Sequence, residues 1–409
     1  MPAIPLASSA VSNAPSDPDL RPPSGMRIPF VDLQAQYLSI KEEIDGAIAQ
    51  VIAESAYING RHVDAFERAW ARTLGVKRCV SCANGTDALY IALRALDVEP
   101  GDEVITSAHS WISTSEAITQ VGGIVVFCDT EEETFTIDPI DIEAKITPAT
   151  VGIIPVHLYG QPADMDAIMA VARKHNLWVI EDCAQAHLAR YNGQFVGTFG
   201  KVATFSFYPG KNLGAYGDAG CLVTNDDQLA DWMATFARHG GKGDHVMEGI
   251  NSRMDGLQAA ILNAKLPYLP AWTQARRRVA ARYDEFLDDV SEVVTPKVEI
   301  GRDHVYHLYV IRTENRDDVR KHLTDAGIAT VLNYPKALPF YAAYAYLCHA
   351  PEDFPNAYAN QCRILSLPIY PEIPDEAIEE VASEIKNAFR LTTGRPRSQA
   401  VSEPILNRI

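Results

Sequence analysis

Apolar positions follow two alternating spacings along most of this 409-residue chain. They recur every three or four residues over 33–54 and again over 63–74, which predicts two helices. From residue 79 onward, short apolar runs bounded by glycine, proline or charged residues alternate with further helical patterns. This alternation predicts an α/β fold in which helices cover both faces of a large, mainly parallel sheet.

The pattern changes near residue 293. From there a smaller α+β unit is predicted, with strands at 306–312 and 329–332 and helices at 316–327 and 375–389. We therefore predict a large domain over residues 26–270 and a smaller C-terminal domain over residues 271–392. The proline-rich residues 1–25 are predicted to form a disordered leader, and residues 393–409 a loose tail.

Net charge and cysteine content indicate which partners and which cellular compartment are compatible with the protein. The net charge of −17 disfavours nucleic acid and anionic membranes as partners, and no apolar run is long enough to span a bilayer. The seven cysteines are an odd number in mostly apolar segments, which indicates reduced thiols in a cytoplasmic protein. Cys79 and Cys82 form a C-x-x-C motif without a second pair, so we expect no metal site.

Two predicted strands end in reactive groups. The apolar run at 177–180 leads into Asp182, and the strand predicted at 202–207 is followed by Lys211. Lys211 lies among closely spaced glycines, where a backbone can bend sharply and approach a ligand. A lysine in such a place is a candidate Schiff-base nucleophile, provided that burial lowers its pKa.

Two earlier loops reach the same predicted sheet edge. Gly85 and Thr86 open a helix after a short strand, so its first-turn amides can bind an anion, although an ordinary capped turn gives the same pattern. Trp111 follows the next strand and either packs in the core or supports an aromatic cofactor. No G-x-G-x-x-G motif follows any of these strands, so the dinucleotide-binding fingerprint is missing.

These groups together match the needs of pyridoxal 5'-phosphate (PLP). PLP requires an amine, a carboxylate that keeps its pyridine nitrogen protonated, a flat face for its ring and donors for its phosphate. The candidates are, in that order, Lys211, Asp182, Trp111 and the group Gly85, Thr86 and Ser206.

Four sequence blocks resemble the DegT/DnrJ/EryC1/StrS family of sugar aminotransferases. They are NGTDAL at 84–89, EDCAQAH at 181–187, FSFYPGKNLG at 205–214 and GINSRMD at 249–255, within a resemblance that covers about residues 28–390. The resemblance implies the aspartate aminotransferase type I fold and a homodimer whose active sites lie at the subunit interface. It also places Leu188 where the family commonly has glycine.

The resemblance assigns a role to each candidate residue. Lys211 becomes the Schiff-base lysine and proton shuttle, and Asp182 the partner of the pyridine nitrogen. The other implied contacts are Gln185 with the ring hydroxyl, Trp111 with the ring face, Gly85, Thr86 and Ser206 with the phosphate, Asn251 with the phosphate of the other subunit's cofactor, and Arg253 with the carboxylate of glutamate.

The resemblance also suggests the reaction. Lysine rather than histidine at position 211 favours transamination over sugar dehydration, and the run at 208–220 is most similar to members that aminate C3 of a dTDP-linked 3-keto-6-deoxyhexose, with L-glutamate as donor. Asn333 and Tyr334 are expected to face the sugar nucleotide, although the family often has histidine at position 333. A keto-cyclitol acceptor, a 4-keto sugar nucleotide and a non-catalytic PLP-binding sensor remain the alternatives.

Overall fold

The computed structural model describes residues 26–241 and 243–393, so the predicted leader and almost all of the predicted tail lie outside the described residues. Its strands are β1 (Arg78–Cys82), β2 (Glu103–Ser107), β3 (Ile124–Cys128), β4 (Thr150–Ile154), β5 (Trp178–Asp182), β6 (Arg190–Tyr191), β7 (Gln194–Phe195), β8 (Val202–Ser206), β9 (Gly220–Thr224), β10 (Arg302–Asp303), β11 (Tyr309–Arg312) and β12 (Ile364–Leu367). Its α-helices are α1 (Leu33–Ser39), α2 (Lys41–Glu54), α3 (Arg61–Leu74), α4 (Gly85–Ala95), α5 (Ser113–Gln120), α6 (Pro139–Ala144), α7 (Met165–His175), α8 (Asp227–Phe236), α9 (Gly256–Lys265), α10 (Leu269–Leu287), α11 (Arg316–Asp325), α12 (Pro355–Arg363) and α13 (Asp375–Thr393).

A seven-stranded sheet with the order β1-β9-β8-β5-β4-β2-β3 forms the centre of the molecule. The neighbours from β3 across to β8 are parallel, and β9 runs antiparallel to both β8 and β1. The predicted mainly parallel sheet is therefore confirmed. The last residues of β1 and β8, Cys82 and Ser206, both pair with Gly220, the first residue of β9. The carboxyl ends of the parallel strands thus meet at one edge.

Successive residues of each strand enter different apolar clusters on the two faces of the sheet. Val80 and Ile180 pack with α4, α5 and α8, whereas their neighbours Cys79 and Val179 face the side covered by α3, α6, α7 and α9. Helix α3 shows how the sequence encodes this packing. Its buried residues recur at three- and four-residue intervals, which puts them on one face of the helix: Val63, Phe66, Trp70 and Leu74.

The C-terminal part has its own core. Helices α10, α11 and α13 pack with the antiparallel pair β11 and β12, and Ile28 from the start of the described chain joins them. The strand predicted at 329–332 is wrong. The N–H group of Ala329 bonds to the Ile28 carbonyl, and Val331 forms a single isolated bridge with Ser366. Neither pairing extends along the chain, so residues 329–332 do not form a strand. The domain boundary at 270/271 falls in the first turn of α10 and stays a prediction.

The helix predicted over 33–54 is interrupted in the structure. Ile40 lies between α1 and α2 with φ −134°, outside the helical range. Ile40 is still buried in one cluster with Ile44, Ile261 and Trp272. The regular apolar spacing therefore predicted the buried face at Ile40 and Ile44 correctly but not the break in the backbone. None of the helices in the described ranges is long and apolar enough to cross a membrane.

A buried carboxylate joins β5 to the loop that precedes β8. Glu181 is fully buried, and its two oxygens accept the backbone N–H groups of Gly197 at 2.7 Å and of Phe199 and Gly200 at 2.8 Å. His157 adds a fourth bond at 3.1 Å through Nε2. Its Nδ1 accepts the Ala163 N–H group at 3.0 Å, so Nε2 carries the proton and donates it to Glu181.

Glu181→Gln should destabilise the protein. The amide NH₂ group would face donors that now point at a carboxylate oxygen, leaving at least one buried donor unpaired at a cost of about 2–3 kcal/mol. Urea unfolding of Glu181→Gln beside Glu99→Gln, an exposed control, measures this cost. The control should stay within about 0.5 kcal/mol of the wild type. An equally small change for Glu181→Gln would contradict the role given to this carboxylate.

Candidate active site

An open pocket of about 670 Å³ lies at the carboxyl edge of the sheet. Its lining comes from the turn that opens α4, the loop before α5, the ends of β5 and β8, and the loop after β8. The structure brings most of the predicted site residues together here: Gly85, Thr86, Trp111, Asp182, Gln185, Ser206 and Lys211. Four others do not line it: Asn251, Arg253, Asn333 and Tyr334.

Lys211 enters the pocket on a tight turn. Its backbone N–H group bonds to the Tyr208 carbonyl at 2.8 Å. A Cβ atom at Gly214 would lie 2.2 Å from the carbonyl oxygen of Pro209, so the chain can fold back here only with glycine. Burial lowers the pKa of Lys211 to about 8, although the negative charge of Asp182 acts in the opposite direction. A neutral, nucleophilic amine is therefore available near physiological pH.

Asp182 is held in one orientation at the end of β5. It is 5% exposed, and its Oδ2 accepts the hydroxyl of Thr114 at 2.7 Å. Oδ1 accepts the N–H group of Ala184 at 3.1 Å. Hydrogen bonds from a hydroxyl and an amide thus fix one oxygen each, so the carboxyl group has a single orientation at the pocket.

A candidate anion site lies between the first turn of α4 and the end of β8. Asn84 caps α4, because its Oδ1 accepts the Asp87 N–H group at 2.8 Å, and the first-turn amides face the pocket edge. A Cβ atom at Gly85 would lie 2.7 Å from Cβ of Ser206, so the two elements touch through backbone. The Thr86 hydroxyl lies 2.7 Å from that of Ser113. The donors are thus amides and hydroxyls, as a phosphate group requires.

Gln185 connects the pocket to an aromatic wall. Its Oε1 accepts the Tyr159 N–H group at 2.6 Å, and its Nε2 donates to the Tyr334 hydroxyl at 2.9 Å. The Tyr334 ring packs 5.5 Å from that of Trp111, which is 54% exposed at the pocket mouth. Gln185 retains a second amide proton for a ligand. Tyr334 therefore stands directly behind the lining residues.

The structure turns the side chain of Asn333 away from the pocket. Its Oδ1 accepts the Ser366 hydroxyl of β12 at 2.8 Å, and its carbonyl oxygen accepts the Tyr159 hydroxyl. A direct contact between this side chain and the sugar nucleotide stays a prediction for which the geometry offers no support. The departure from histidine at this position instead fits a residue that bonds within the protein.

Asn251 and Arg253 lie outside the pocket of their own chain. Asn251 is exposed and Arg253 is half-buried. Within the described part of the chain, neither side chain makes a hydrogen bond or an ion pair. Two polar side chains on either side of Ser252 are therefore available for a ligand or a second chain.

Sequence reasoning missed two residues that support the site. Thr114 orients Asp182, and its only signal was a hydroxyl-rich run just after Trp111. Lys265 is fully buried at the end of α9, and its Nζ donates to the carbonyl oxygen of Gly214 at 2.8 Å, in the turn that carries Lys211. Burial lowers the pKa of Lys265 to about 8. No local sequence pattern distinguishes it from a surface lysine.

Leu188 adopts a backbone conformation that glycine prefers. Its φ angle is +66°, in the left-handed region that costs energy for a branched side chain. This explains why glycine is the common residue at this position of the resemblance. The strained residue follows the signature block at 181–187 directly.

One buried group of potential metal ligands is already saturated by hydrogen bonds. His157, Glu181 and Cys183 come within 4.8 Å of one another. Both ring nitrogens of His157 are engaged, and each oxygen of Glu181 accepts two bonds. The group therefore acts as internal support for β5.

The donor set fits PLP. The pocket offers an amine with a lowered pKa, a fixed carboxylate and an anion cradle that has no room for an extra Cβ atom. Among the described residues that line it, Lys211 is the one cation, whereas Asp182 and Asp218 are acidic. Phosphate must therefore be held by amides and hydroxyls, and a carboxylate ligand needs a cation from elsewhere.

Relatives with similar sequences span nearly the whole chain. A "pleiotropic regulatory protein" of Geobacillus stearothermophilus is 44% identical over 89% of this chain and 99% of its own. A UDP-N-acetyl-3-dehydro-alpha-D-glucosamine 3-aminotransferase of Acidithiobacillus ferrooxidans is 43% identical over 88% and 98%. A dTDP-3-amino-3,4,6-trideoxy-alpha-D-glucose transaminase of Streptomyces venezuelae is 41% identical over 85% and 92%.

Solved structures and a family comparison agree with these relatives. The crystal structure of S. venezuelae DesV in complex with a ketimine intermediate has a TM-score of 0.85 and 39% identity, covering 91% of this chain and 100% of that one. Bacillus subtilis NtdA with bound cofactor PMP has a TM-score of 0.82 and 31% identity, covering 89% and 86%. The aminotransferase fold is therefore confirmed. With a match over residues 38–386, the chain belongs to the DegT/DnrJ/EryC1/StrS aminotransferase family.

Proposed function

We propose that this protein is a PLP-dependent sugar aminotransferase that moves the amino group of L-glutamate to C3 of a dTDP-linked 3-keto-6-deoxyhexose. The observation that carries the proposal is the presence of Lys211 and Asp182 in one pocket, beside the amino end of α4. An amine, a fixed carboxylate and an anion cradle in one cavity are the set that PLP needs. PMP, bound in the NtdA structure, is the amine form of the same cofactor.

Each pocket residue has a distinct task. PLP supplies an aldehyde for an amine and a heterocycle that accepts an electron pair. Asp182 keeps positive charge on the ring nitrogen, and the cradle of Gly85, Thr86 and Ser206 binds the phosphate. Lys211 Nζ accepts the proton that leaves the α-carbon of glutamate, and it performs the reverse transfer when the keto-sugar is aminated. The lowered pKa of Lys211 makes both directions accessible near neutral pH.

We further propose a cytoplasmic homodimer in which each subunit completes the other's active site. Glutamate carries two carboxylates, and among the described residues that line the pocket the single cation is Lys211, which is already committed to the amino group. Arg253 offers the missing charge and lies outside its own pocket. A guanidinium binds a carboxylate through two parallel hydrogen bonds. The free thiols of all seven cysteines fit a reducing compartment.

The acceptor is proposed from the relatives and the sequence together. The names of the two sugar aminotransferases reported above both place the amino group at C3 of the sugar, which is UDP-linked in one case and dTDP-linked in the other. These relatives support the position of amination, and the resemblance of residues 208–220 supports dTDP. Tyr334 contacts two lining residues, Gln185 through a hydrogen bond and Trp111 through its ring, so its loop could influence how a sugar nucleotide is seated.

Two successive half-reactions test the proposal. L-glutamate should convert the PLP-loaded protein to the PMP form, and dTDP-3-keto-6-deoxyhexose should return it to the PLP form with an amino sugar identified by NMR. Amination of only scyllo-inosose would establish the cyclitol alternative, and amination of only a 4-keto sugar nucleotide would move the reaction to C4. Failure of glutamate to change bound PLP would indicate a sensor.

The lowered pKa of Lys211 predicts how capture of PLP depends on pH. The neutral amine is the nucleophile, so the rate of covalent capture should rise with pH through about 8 and then level off. Stopped-flow absorbance measures the rate, and borohydride reduction with peptide mapping locates the bond. Lys211→Arg, which keeps the charge, should show no covalent capture. A rate that climbs steadily to pH 10.5, the ordinary lysine value, would contradict the burial argument.

The bond from Thr114 to Asp182 predicts a selective loss of rate. Thr114→Val keeps the side-chain shape but removes the hydroxyl, so kcat of the glutamate half-reaction should fall about tenfold with little change in KM. Thr114→Ser keeps the hydroxyl and serves as the matched control. If Val and Ser give the same kcat, the hydroxyl does not orient the carboxylate.

Shared active sites predict complementation between two inactive variants. Lys211→Ala and Arg253→Ala should each be nearly inactive as homodimers. After unfolding and refolding together in equal amounts, half of the dimers are hybrids with one intact site, so about a quarter of wild-type activity should return. Light scattering gives the mass of the assembly. A dimer without any return of activity would show that Arg253 serves its own chain.

A further inference from the structure

Ser252 lies between Asn251 and Arg253, whose side chains have no hydrogen-bond partner among the described residues, yet Ser252 itself is fully buried. Its Oγ accepts the N–H group of Ala83 at 3.0 Å and donates to Oδ2 of Asp87 at 2.6 Å. Both partners belong to the turn at residues 83–87, which we call the phosphate turn because it opens α4 at the anion site. A single hydroxyl therefore fastens the segment 249–255 to the cofactor site of the same chain.

The segment 249–255 is also fixed by its backbone. The N–H group of Ile250 bonds to the Phe236 carbonyl at 2.8 Å, and that of Ser252 bonds to the Ala237 carbonyl at 3.0 Å. These bonds hold the segment against the end of α8. Asn251 and Arg253, on either side of Ser252, remain outside the pocket of their own chain. Ser252 thus contacts the phosphate turn of its own chain, whereas the side chains of Asn251 and Arg253 lie outside that chain's pocket.

We propose that Ser252 is a positioning residue that couples the two active sites of the dimer. The proposal rests on the shared sites proposed above. In such a dimer, Ser252 fixes the phosphate turn of its own subunit and, at the same time, the position of the Asn251 and Arg253 side chains that the partner's site receives. One hydroxyl therefore acts on cofactor binding in one site and on glutamate binding in the other.

Loss of the hydroxyl should loosen both sides. Ser252→Ala leaves the Ala83 donor and the Asp87 carboxylate without their partner, so the phosphate turn and the segment can separate. We expect the Ser252→Ala homodimer to release PLP about tenfold faster and to show a KM for glutamate about tenfold higher. A serine that only supported the fold would lower stability without this pair of changes.

Hybrid dimers separate the two effects. In the first hybrid, Ser252→Ala is on the subunit that keeps Lys211, and the partner carries Lys211→Ala. The working site then has an altered phosphate turn, so PLP release should be faster with KM for glutamate unchanged. In the second hybrid, Ser252→Ala and Lys211→Ala are on one subunit opposite a wild-type partner. The working site then receives the altered segment, so KM for glutamate should rise.

Ser115→Ala is the matched control, because this buried serine also loses two hydrogen bonds, one from the Tyr344 hydroxyl and one to the Ile112 carbonyl, but lies outside the segment and the phosphate turn. It should leave both parameters unchanged. Asp87→Asn, which keeps the side-chain size, should repeat the Ser252→Ala pattern more weakly and replaces it if Ser252→Ala does not fold. A change in only one of the two hybrids, or in neither, would overturn the coupling. Loss of complementation between Lys211→Ala and Arg253→Ala would instead overturn the shared sites.

Discussion

The site depends on close contact between backbones at one edge of the central sheet. Gly220 begins β9 where its Cβ atom would lie 2.4 Å from the Asn84 backbone, and Gly85 begins α4 against Ser206. Without side chains at these points, the ends of β1, β8 and α4 come together around one small volume. The anion cradle, the carboxylate at the end of β5 and the turn with Lys211 are neighbours for this reason. The grouping of these reactive residues therefore depends on the absence of side chains at Gly85 and Gly220.

Anionic ligands must be bound here by local hydrogen-bond donors and cations, because the overall negative charge of the chain repels them. The chain carries a net charge of −17, yet its proposed ligands are anions. First-turn amides and hydroxyls provide donors without a full positive charge, and burial lowers the pKa of Lys211 to about 8, so only part of its amine is neutral near pH 7. In the proposed homodimer, the strongest cation, Arg253, would come from the second chain. In this proposal, assembly of the dimer therefore also supplies the positive charge that binds the carboxylate of glutamate.

The sequence predicted the large sheet and the pocket core well, because these depend on short-range patterns. Asp182 ends one apolar strand and Lys211 lies in the loop just after another, and parallel strands bring such ends together. Long-range packing decided what was missed. The chain breaks at Ile40 although the apolar spacing continues through it, and Asn333 bonds to β12, a strand that the sequence did not predict. Lys265 gave no signal at all, since its importance comes from a carbonyl about fifty residues away along the chain.

Helix α9 acts as a spacer of fixed length. It starts directly after the segment 249–255, where Gly256 fits so closely that a Cβ atom would lie 1.9 Å from the Ala56 carbonyl oxygen. It ends at Lys265, whose Nζ donates a hydrogen bond to the carbonyl oxygen of Gly214. One inserted residue would rotate that ammonium by about 100° around the helix axis, away from the lysine turn. Insertions and deletions in these ten residues are therefore excluded by contacts at both ends, whatever their effect on helix stability.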